Sequence, residues 1–295
     1  MLYKDFTTQE ELDTQYNLRL LIPDAASAYE EFCFRESEKV REDLDHRLDV
    51  SFGPTLAEHL DVYPATGAAG SGWGAPILVY VHGGFWAMRT SKEFGFVARG
   101  PVSKGVATVV VNYALCPEVT IDEIVRQIRA AVAWTYKNAA SFGGDPERIH
   151  VAGHSAGGHL TAMLLETDWE KSYGLPGDII KNACAISGLF DLAPFPYTFL
   201  QPKVQLSWEQ ILRNSPILHL PGLGPGAPPL LLVYGEEETA EFKRQSEDFF
   251  TARKKQNLPC DLLPLPGKNH YDLVDGFLDA GSPLCSAILK QMGVR

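Results

Sequence analysis

No apolar run in this chain of 295 residues approaches the roughly 20 residues that a membrane span requires. The N-terminus, MLYKDFTTQEELDTQYNLR, carries charge where a secretion signal needs an apolar stretch, so no signal peptide is expected. Cysteine is sparse. Cys33, Cys116, Cys184, Cys260 and Cys285 are odd in number and far apart, which speaks against a disulfide framework and for reduced thiols in a cytoplasmic setting. No CxxC or paired Cys/His spacing occurs, so neither zinc nor another metal is expected. Excess basic charge is missing too. With 26 Lys and Arg against 37 Asp and Glu, the net charge is −11. Such a surface repels nucleic acid and anionic lipid, and leaves neither nucleic acid nor membrane as an expected partner.

What the chain does have is a series of short apolar runs: Pro76–Val81, Val106–Tyr113, Arg148–Gly153, Asn182–Gly188 and Pro229–Gly235. They do not alternate with polar residues, as expected of parallel strands buried on both faces. Helical segments lie between them. Thr120-Ile121-Asp122-Glu123 reads as a capping box, Ile121, Ile124, Val125, Ile128 and Val132 recur at helical spacing, and Gly143-Gly144-Asp145-Pro146 stops the pattern. Alternating strands and helices predict an α/β chain with a mostly parallel, doubly wound sheet. No repeat is visible, and the Gly/Pro/Ala-rich stretches Ala65–Ala75 and Pro221–Pro229 read as surface loops. Residues 1–295 are therefore expected to be one domain. Within residues 1–50, the charge-dense run Ala25–Arg47 reads as a helix that either caps one end of the sheet or packs on its side.

Gly153-His154-Ser155-Ala156-Gly157 matches G-x-S-x-G, between the strand Arg148–Ala152 and a helix-like run, Gly158–Thr167. That strand-to-helix context is what a nucleophile elbow of the α/β-hydrolase fold needs, with Ser155 lifted above the carboxyl end of the sheet. His82-Gly83-Gly84-Phe85-Trp86 follows the strand Pro76–Val81, where an oxyanion loop belongs. Gly84, Phe85 and Ala156 are the expected N–H donors, because backbone donors stabilise the charge that acyl transfer puts on a carbonyl oxygen. His82 is expected to hold that loop by hydrogen bonds. His154 and His159 are five apart, a spacing that does not stack them on one helix face for a metal.

In this fold the acid and then the base follow the serine in the chain. His159 is too near Ser155, and His219 precedes the late strand that should carry the acid. His270, after the apolar run Leu262–Leu265, is the expected base. The acid should follow Leu230–Tyr234, where Glu236, Glu237 and Glu238 are adjacent and Glu241 lies beyond; Glu238 is favoured.

These residues resemble the kynurenine formamidases (arylformamidases), close to the hormone-sensitive-lipase-like esterases. The likeness rests on HGGFW at 82–86, GHSAGGHL at 153–160, the stretch Arg213-Asn214-Ser215-Pro216-Ile217-Leu218-His219-Leu220, and Glu238-Thr239-Ala240-Glu241-Phe242-Lys243-Arg244-Gln245-Ser246, which is similar to the family's acid-x-x-Glu-Phe-x-Arg-Gln-Ser. Gln15-Tyr16-Asn17 and Leu60-Asp61-Val62-Tyr63-Pro64 extend it over nearly the whole chain. The resemblance implies that Glu238 is the acid of a Ser155–His270–Glu238 triad. It implies a small-molecule substrate, N-formyl-L-kynurenine of tryptophan catabolism, with no cofactor. Phe85 and Trp86 are the expected partners of the substrate's aromatic ring. Phe85 stands where Tyr is common and Glu238 where animal members carry Asp. An esterase or amidase acting on aryl esters, anilides or carbamates is therefore the alternative. A non-catalytic binding protein is a third reading, against which the intact Ser155, His270 and oxyanion loop count. A homodimer is left open.

Overall fold

Strands that are apolar along their whole length have to be covered on both sides. The computed structural model, which describes residues 1–65, 74–220, 224 and 226–294, shows how this is done. In the described residues eight strands form one sheet: β1 (Arg47–Ser51), β2 (His59–Tyr63), β3 (Ala75–Val81), β4 (Ala107–Val111), β5 (Gly144–His154), β6 (Ile180–Ile186), β7 (Leu230–Gly235) and β8 (Cys260–Leu265). Their order is β1-β2-β4-β3-β5-β6-β7-β8. From β4 to β8 neighbours run parallel, while β2 is antiparallel to both β1 and β4. The fold is the α/β-hydrolase fold.

The helices are α1 (Gln9–Tyr16), α2 (Leu18–Leu21), α3 (Pro23–Asp43), α4 (Arg99–Ser103), α5 (Ile121–Asn138), α6 (Ala156–Leu165), α7 (Trp169–Tyr173), α8 (Gln201–Val204), α9 (Trp208–Asn214), α10 (Ala240–Lys255) and α11 (Pro283–Gln291). None of those described is long and apolar enough to cross a membrane. Along β3, Ile77, Val79 and Val81 enter one core, and Leu78 and Tyr80 the other. This is the two-residue alternation of a strand covered on both faces. The first core is closed by α1, α5, α6 and α10 through Leu12, Ile128, Leu160 and Phe249. The second is closed by α3, α4 and α11 through Cys33, Val102 and Leu284.

The five apolar runs all become strands, with ends shifted by a few residues. Two strands carried no such signal. β1 alternates exposed and half-buried residues, and the charges of Arg47 and Asp49 protect a sheet edge from further pairing. The helix expected over Ala25–Arg47 accordingly stops at Asp43, and Arg47 starts β1. β2 is interrupted by Asp61, fully buried because Lys92 Nζ, the Ser91 hydroxyl and the Asp49 N–H all bind its carboxylate. The expected loop at Ala65–Ala75 lies largely outside the described residues, and of the one at Pro221–Pro229 residues 224 and 226–229 are described, in neither helix nor strand.

The capping box at α5 is half formed. Thr120 Oγ1 accepts from Glu123 N at 3.3 Å, but the Glu123 carboxylate turns away to Arg126 and Gln127. The helix passes into a 3₁₀ turn at Ala139–Phe142, and Gly143, at φ 76°, supplies the left-handed residue that ends it. Removing the one cap bond in Thr120→Ala should lower stability by about 1 kcal/mol, read as a lower urea midpoint at unchanged m. An unshifted midpoint would show that the cap contributes nothing.

Candidate active site

β5 runs straight into Ser155, whose backbone sits at φ 57°, ψ −119° before α6 begins at Ala156. A non-glycine residue there is strained, and close packing on all sides enforces it. Ser155 N donates to Ile186 O at the end of β6, 2.8 Å away. A Cβ on Gly157 would collide with the carbonyl oxygen of Val81, and one on Gly153 with that of Gly157, so only glycine fits at either position. The result is a sharp strand-to-helix turn with the serine at its tip.

The loop after β3 lies beside that turn because β3 and β5 are neighbours. Gly84, Phe85 and Trp86 all have positive φ (117°, 50° and 58°). Bonds from Ala87 N and Met88 N to Gly84 O, and from Cys116 N to Trp86 O, hold the loop in this shape. Among the described residues, no protein acceptor takes the N–H groups of Gly84, Phe85 or Ala156, which leaves them available to an oxyanion. His82 Nδ1 donates to Gly83 O at 2.8 Å, but among the described residues its Nε2 has no partner. Stacking holds the ring as much as hydrogen bonding does, with Tyr113 at 4.2 Å and Phe94 at 5.4 Å.

Trp86 departs from expectation. It is fully buried and lies outside the cavity lining, because an indole N–H out of water needs an acceptor. His159 Nδ1 supplies one at 3.1 Å, and His159 Nε2 in turn donates to Asn214 O at 2.7 Å. Trp86 thus ties the loop to α6, and only Phe85 of the aromatic pair faces the cavity.

His270 follows β8 in a turn fixed by Asn269 N donating to Asp272 Oδ1 and Tyr271 N to Asn269 Oδ1, both at 2.8 Å. Its Nδ1 donates to Glu238 Oε2 at 2.8 Å. The other Glu238 oxygen accepts from Gly235 N and from the Ser187 hydroxyl. Glu238 is buried, whereas Glu236 and Glu237 are exposed, so of the three glutamates only Glu238 meets the imidazole. The rings of Phe242 (4.2 Å) and His154 (4.6 Å) flank His270. Burial and the neighbouring His270 hold His154 well below the ordinary histidine pKa, hence neutral. Among the described residues Ser155 Oγ is not hydrogen-bonded to His270; the two share one cavity.

One wall of that cavity, here called the roof, comes from residues 16–30. Tyr16, Leu18, Arg19, Tyr29 and Glu30 from α1–α3 line the cavity together with Gly84, Phe85, Ser155, Phe199 and His270. The roof is anchored on α10. Tyr16 Oη donates to Glu241 Oε2 (2.9 Å) and accepts from Gln245 Nε2 (3.2 Å), and Thr239 Oγ1 donates to Gln15 O (2.7 Å). Arg244 completes Glu241 with bonds of 2.6 and 2.8 Å. The stretch Glu238–Ser246 therefore does two jobs: its first residue meets His270, and the following turns hold the roof. Sequence reasoning missed Ser187, Arg89 and Glu30. Ser187 alone left a trace, standing at the carboxyl end of an expected strand.

Burial pushes His82, His150 and His159 down to about 4, against about 6.5 in the unfolded chain. Between those values the unfolded state binds more protons at these three sites, so their contribution to stability is level above pH 6.5 and falls as pH drops toward 4. His150→Gln, on β5 away from the cavity, should reduce the pH slope of the unfolding free energy in this window by about one proton. Urea titrations of both proteins at pH 7, 6 and 5 test this, and equal slopes would refute it.

The BD-FAE family model matches residues 60–252. The chain is 30% identical to the kynurenine formamidase of Salmo salar, over 98% of this chain and 97% of that one. It is 29% identical to that of Danio rerio, over 97% of each. A solved structure from Silicibacter sp. TM1040 superposes with a TM-score of 0.79 at 29% identity, covering 94% of this chain and 98% of that one. With an elbow serine, a buried Glu–His pair and a near full-length likeness, the chain is a serine-hydrolase-type enzyme and belongs to the kynurenine formamidase family of α/β hydrolases, within the reach of the BD-FAE family model.

Proposed function

We propose that this hydrolase of the formamidase/esterase type is an arylformamidase that converts N-formyl-L-kynurenine to kynurenine and formate. The observation that carries the reading is the Glu238–His270 bond, with His270 and Ser155 lining one cavity, in a chain so similar to two kynurenine formamidases. Ser155 Oγ attacks the formyl carbon while His270 Nε2 takes its proton. Glu238 keeps the proton of Nδ1 in place and stabilises the imidazolium. The N–H groups of Gly84, Phe85 and Ala156 bind the tetrahedral oxygen. Collapse breaks the C–N bond, and His270 returns the proton to the leaving aromatic amine. Water, deprotonated by the same imidazole, then releases formate from the formyl-serine. The Ser155–His270 bond closes with substrate in place; in unliganded sites such bonds are often long.

A formyl group needs almost no acyl pocket, whereas the amine side needs a flat apolar wall. Phe85 supports this, packed against Phe199 at 6.2 Å with both rings in the lining. Phe85 lacks the hydroxyl that is common at its position, and this favours a second reading, an esterase or amidase for aryl esters, anilides or carbamates.

The deciding comparison is kcat/KM on N-formyl-L-kynurenine and on p-nitrophenyl acetate, with Ser155→Ala as the blank. A preference for the formamide is expected, and turnover of the ester alone would transfer the chain to the second reading. Glu238→Gln should lower kcat by on the order of 10³ to 10⁴, while Glu237→Gln, at an exposed position, should change it less than about twofold. Equal effects of the two would remove Glu238 from the triad.

A further inference from the structure

The cavity that holds Ser155 is also lined by two arginines and one glutamate, Arg19, Arg89 and Glu30. Neither the attack on a formyl carbon nor the packing of an arene uses them. Arg89 follows the oxyanion loop at φ 79°, a strained conformation for a long side chain. A Cβ on Gly84 would sit 2.9 Å from Arg89 Cγ, so the stem of this arginine lies against the oxyanion loop itself. Its guanidinium is fixed from behind by Glu93 at 2.7 Å and reaches Glu30 Oε1 at 3.2 Å, with Tyr29 beneath it at 5.5 Å. Only 13% of the Arg89 side chain is exposed.

Glu30 is under-used. Arg19 and Arg89 both approach its Oε1, at 3.4 and 3.2 Å, and among the described residues nothing donates to its Oε2. The Arg19 side chain is 69% exposed and has no ion-pair partner but Glu30 among the described residues. A half-buried set of this kind contributes little to stability, because desolvation offsets the attraction. It does match a molecule that carries one anionic and one cationic group side by side.

We propose that Arg19, Glu30 and Arg89 form a subsite for the zwitterionic α-amino-acid end of the substrate, with its carboxylate on the two arginines and its ammonium on Glu30. Guanidinium groups bind carboxylates with directional, charge-assisted bonds, and a carboxylate with a free oxygen takes the ammonium. The aromatic rings of Phe85 and Phe199 line the same cavity as the charged trio and Ser155. The inference rests on the formamidase reading and deepens it by assigning Arg19, Glu30 and Arg89 to the part of the substrate that the chemistry at Ser155 does not touch, a part that a neutral aryl formamide lacks.

The test measures kcat/KM on N-formyl-L-kynurenine and on formanilide, a neutral formamide, in the wild-type protein and in Glu30→Gln and Arg19→Gln. The ratio of the two values should exceed 100 in the wild type and fall about tenfold in each variant through KM, the size expected for one charge-assisted bond. An unchanged ratio in both variants, even with lower activity on both substrates, would reduce the trio to a clamp between α3 and the oxyanion loop and overturn the subsite. Turnover of formanilide at a wild-type ratio near 1 would overturn it while leaving the formamidase reading intact. Turnover of neither formamide, with p-nitrophenyl acetate still hydrolysed, would remove that reading itself.

Discussion

Only a glycine at position 157 allows the start of α6 to touch the carbonyl of Val81 at the end of β3. Much of the site follows from that contact. It brings the tips of two adjacent parallel strands together, so the loop leaving β3 and the turn leaving β5 share one space. The N–H groups of Gly84 and Phe85 come from the first and that of Ala156 from the second. An oxyanion hole assembled from two loops needs their separation fixed to a fraction of an ångström. Close packing of glycine on a carbonyl provides that more rigidly than side-chain contacts would. The same neighbourhood holds Ser155 in its strained conformation through Ile186 O on β6, so three consecutive strands of the sheet determine where the hydroxyl points.

Glu238 and His270 are positioned by a different device. Glu238 has both oxygens occupied, one by His270 and the other by Ser187 and Gly235. Its orientation is therefore set before any substrate arrives. One turn further along α10, Glu241 and Gln245 grip Tyr16, and with it the roof over the cavity. Helical spacing puts these residues on one side of α10, next to Phe242, whose ring packs on His270. The geometry of the imidazole and the closure of the cavity thus depend on one helix. This gives a physical reason for the compact pattern Glu-x-x-Glu-Phe-x-Arg-Gln-Ser.

The parallel strands could be read from the sequence because burial on both faces leaves an uninterrupted apolar signature, as in Leu230–Tyr234. β1 and β2 could not. An edge strand keeps charges such as Arg47 and Asp49, and β2 buries Asp61 only because Lys92, some thirty residues away, neutralises it. The elbow and the oxyanion loop were legible since each is local and glycine-dependent. Local reading left Glu236, Glu237 and Glu238 open, since three adjacent glutamates differ only in what they face after folding. Trp86 was misjudged for the same reason. Its partner, His159, is 73 residues away, and no short-range pattern reveals that the indole N–H is spent on a strut.

Backbone strain marks the site independently of any motif. Among the described residues, the non-glycine positions with positive φ are Lys4, Asp49, Phe85, Trp86, Arg89, Ser155, Ser187, Gln205 and Asn257. Five of these nine surround the cavity or hold its parts. Such conformations are unfavourable and persist only where the surrounding packing over-determines them. Ser155 and Phe85 were expected from the elbow and the loop. Ser187 and Arg89 were not, and each proves to have a specific task or contact there, the first on the Glu238 carboxylate and the second on Glu30 beside the oxyanion loop. Strain shared by Ser155, the loop after β3, Ser187 beside Glu238 and Arg89 ties all four to one construction. This is why Arg89 belongs with the chemistry of the cavity and not with the packing of the fold.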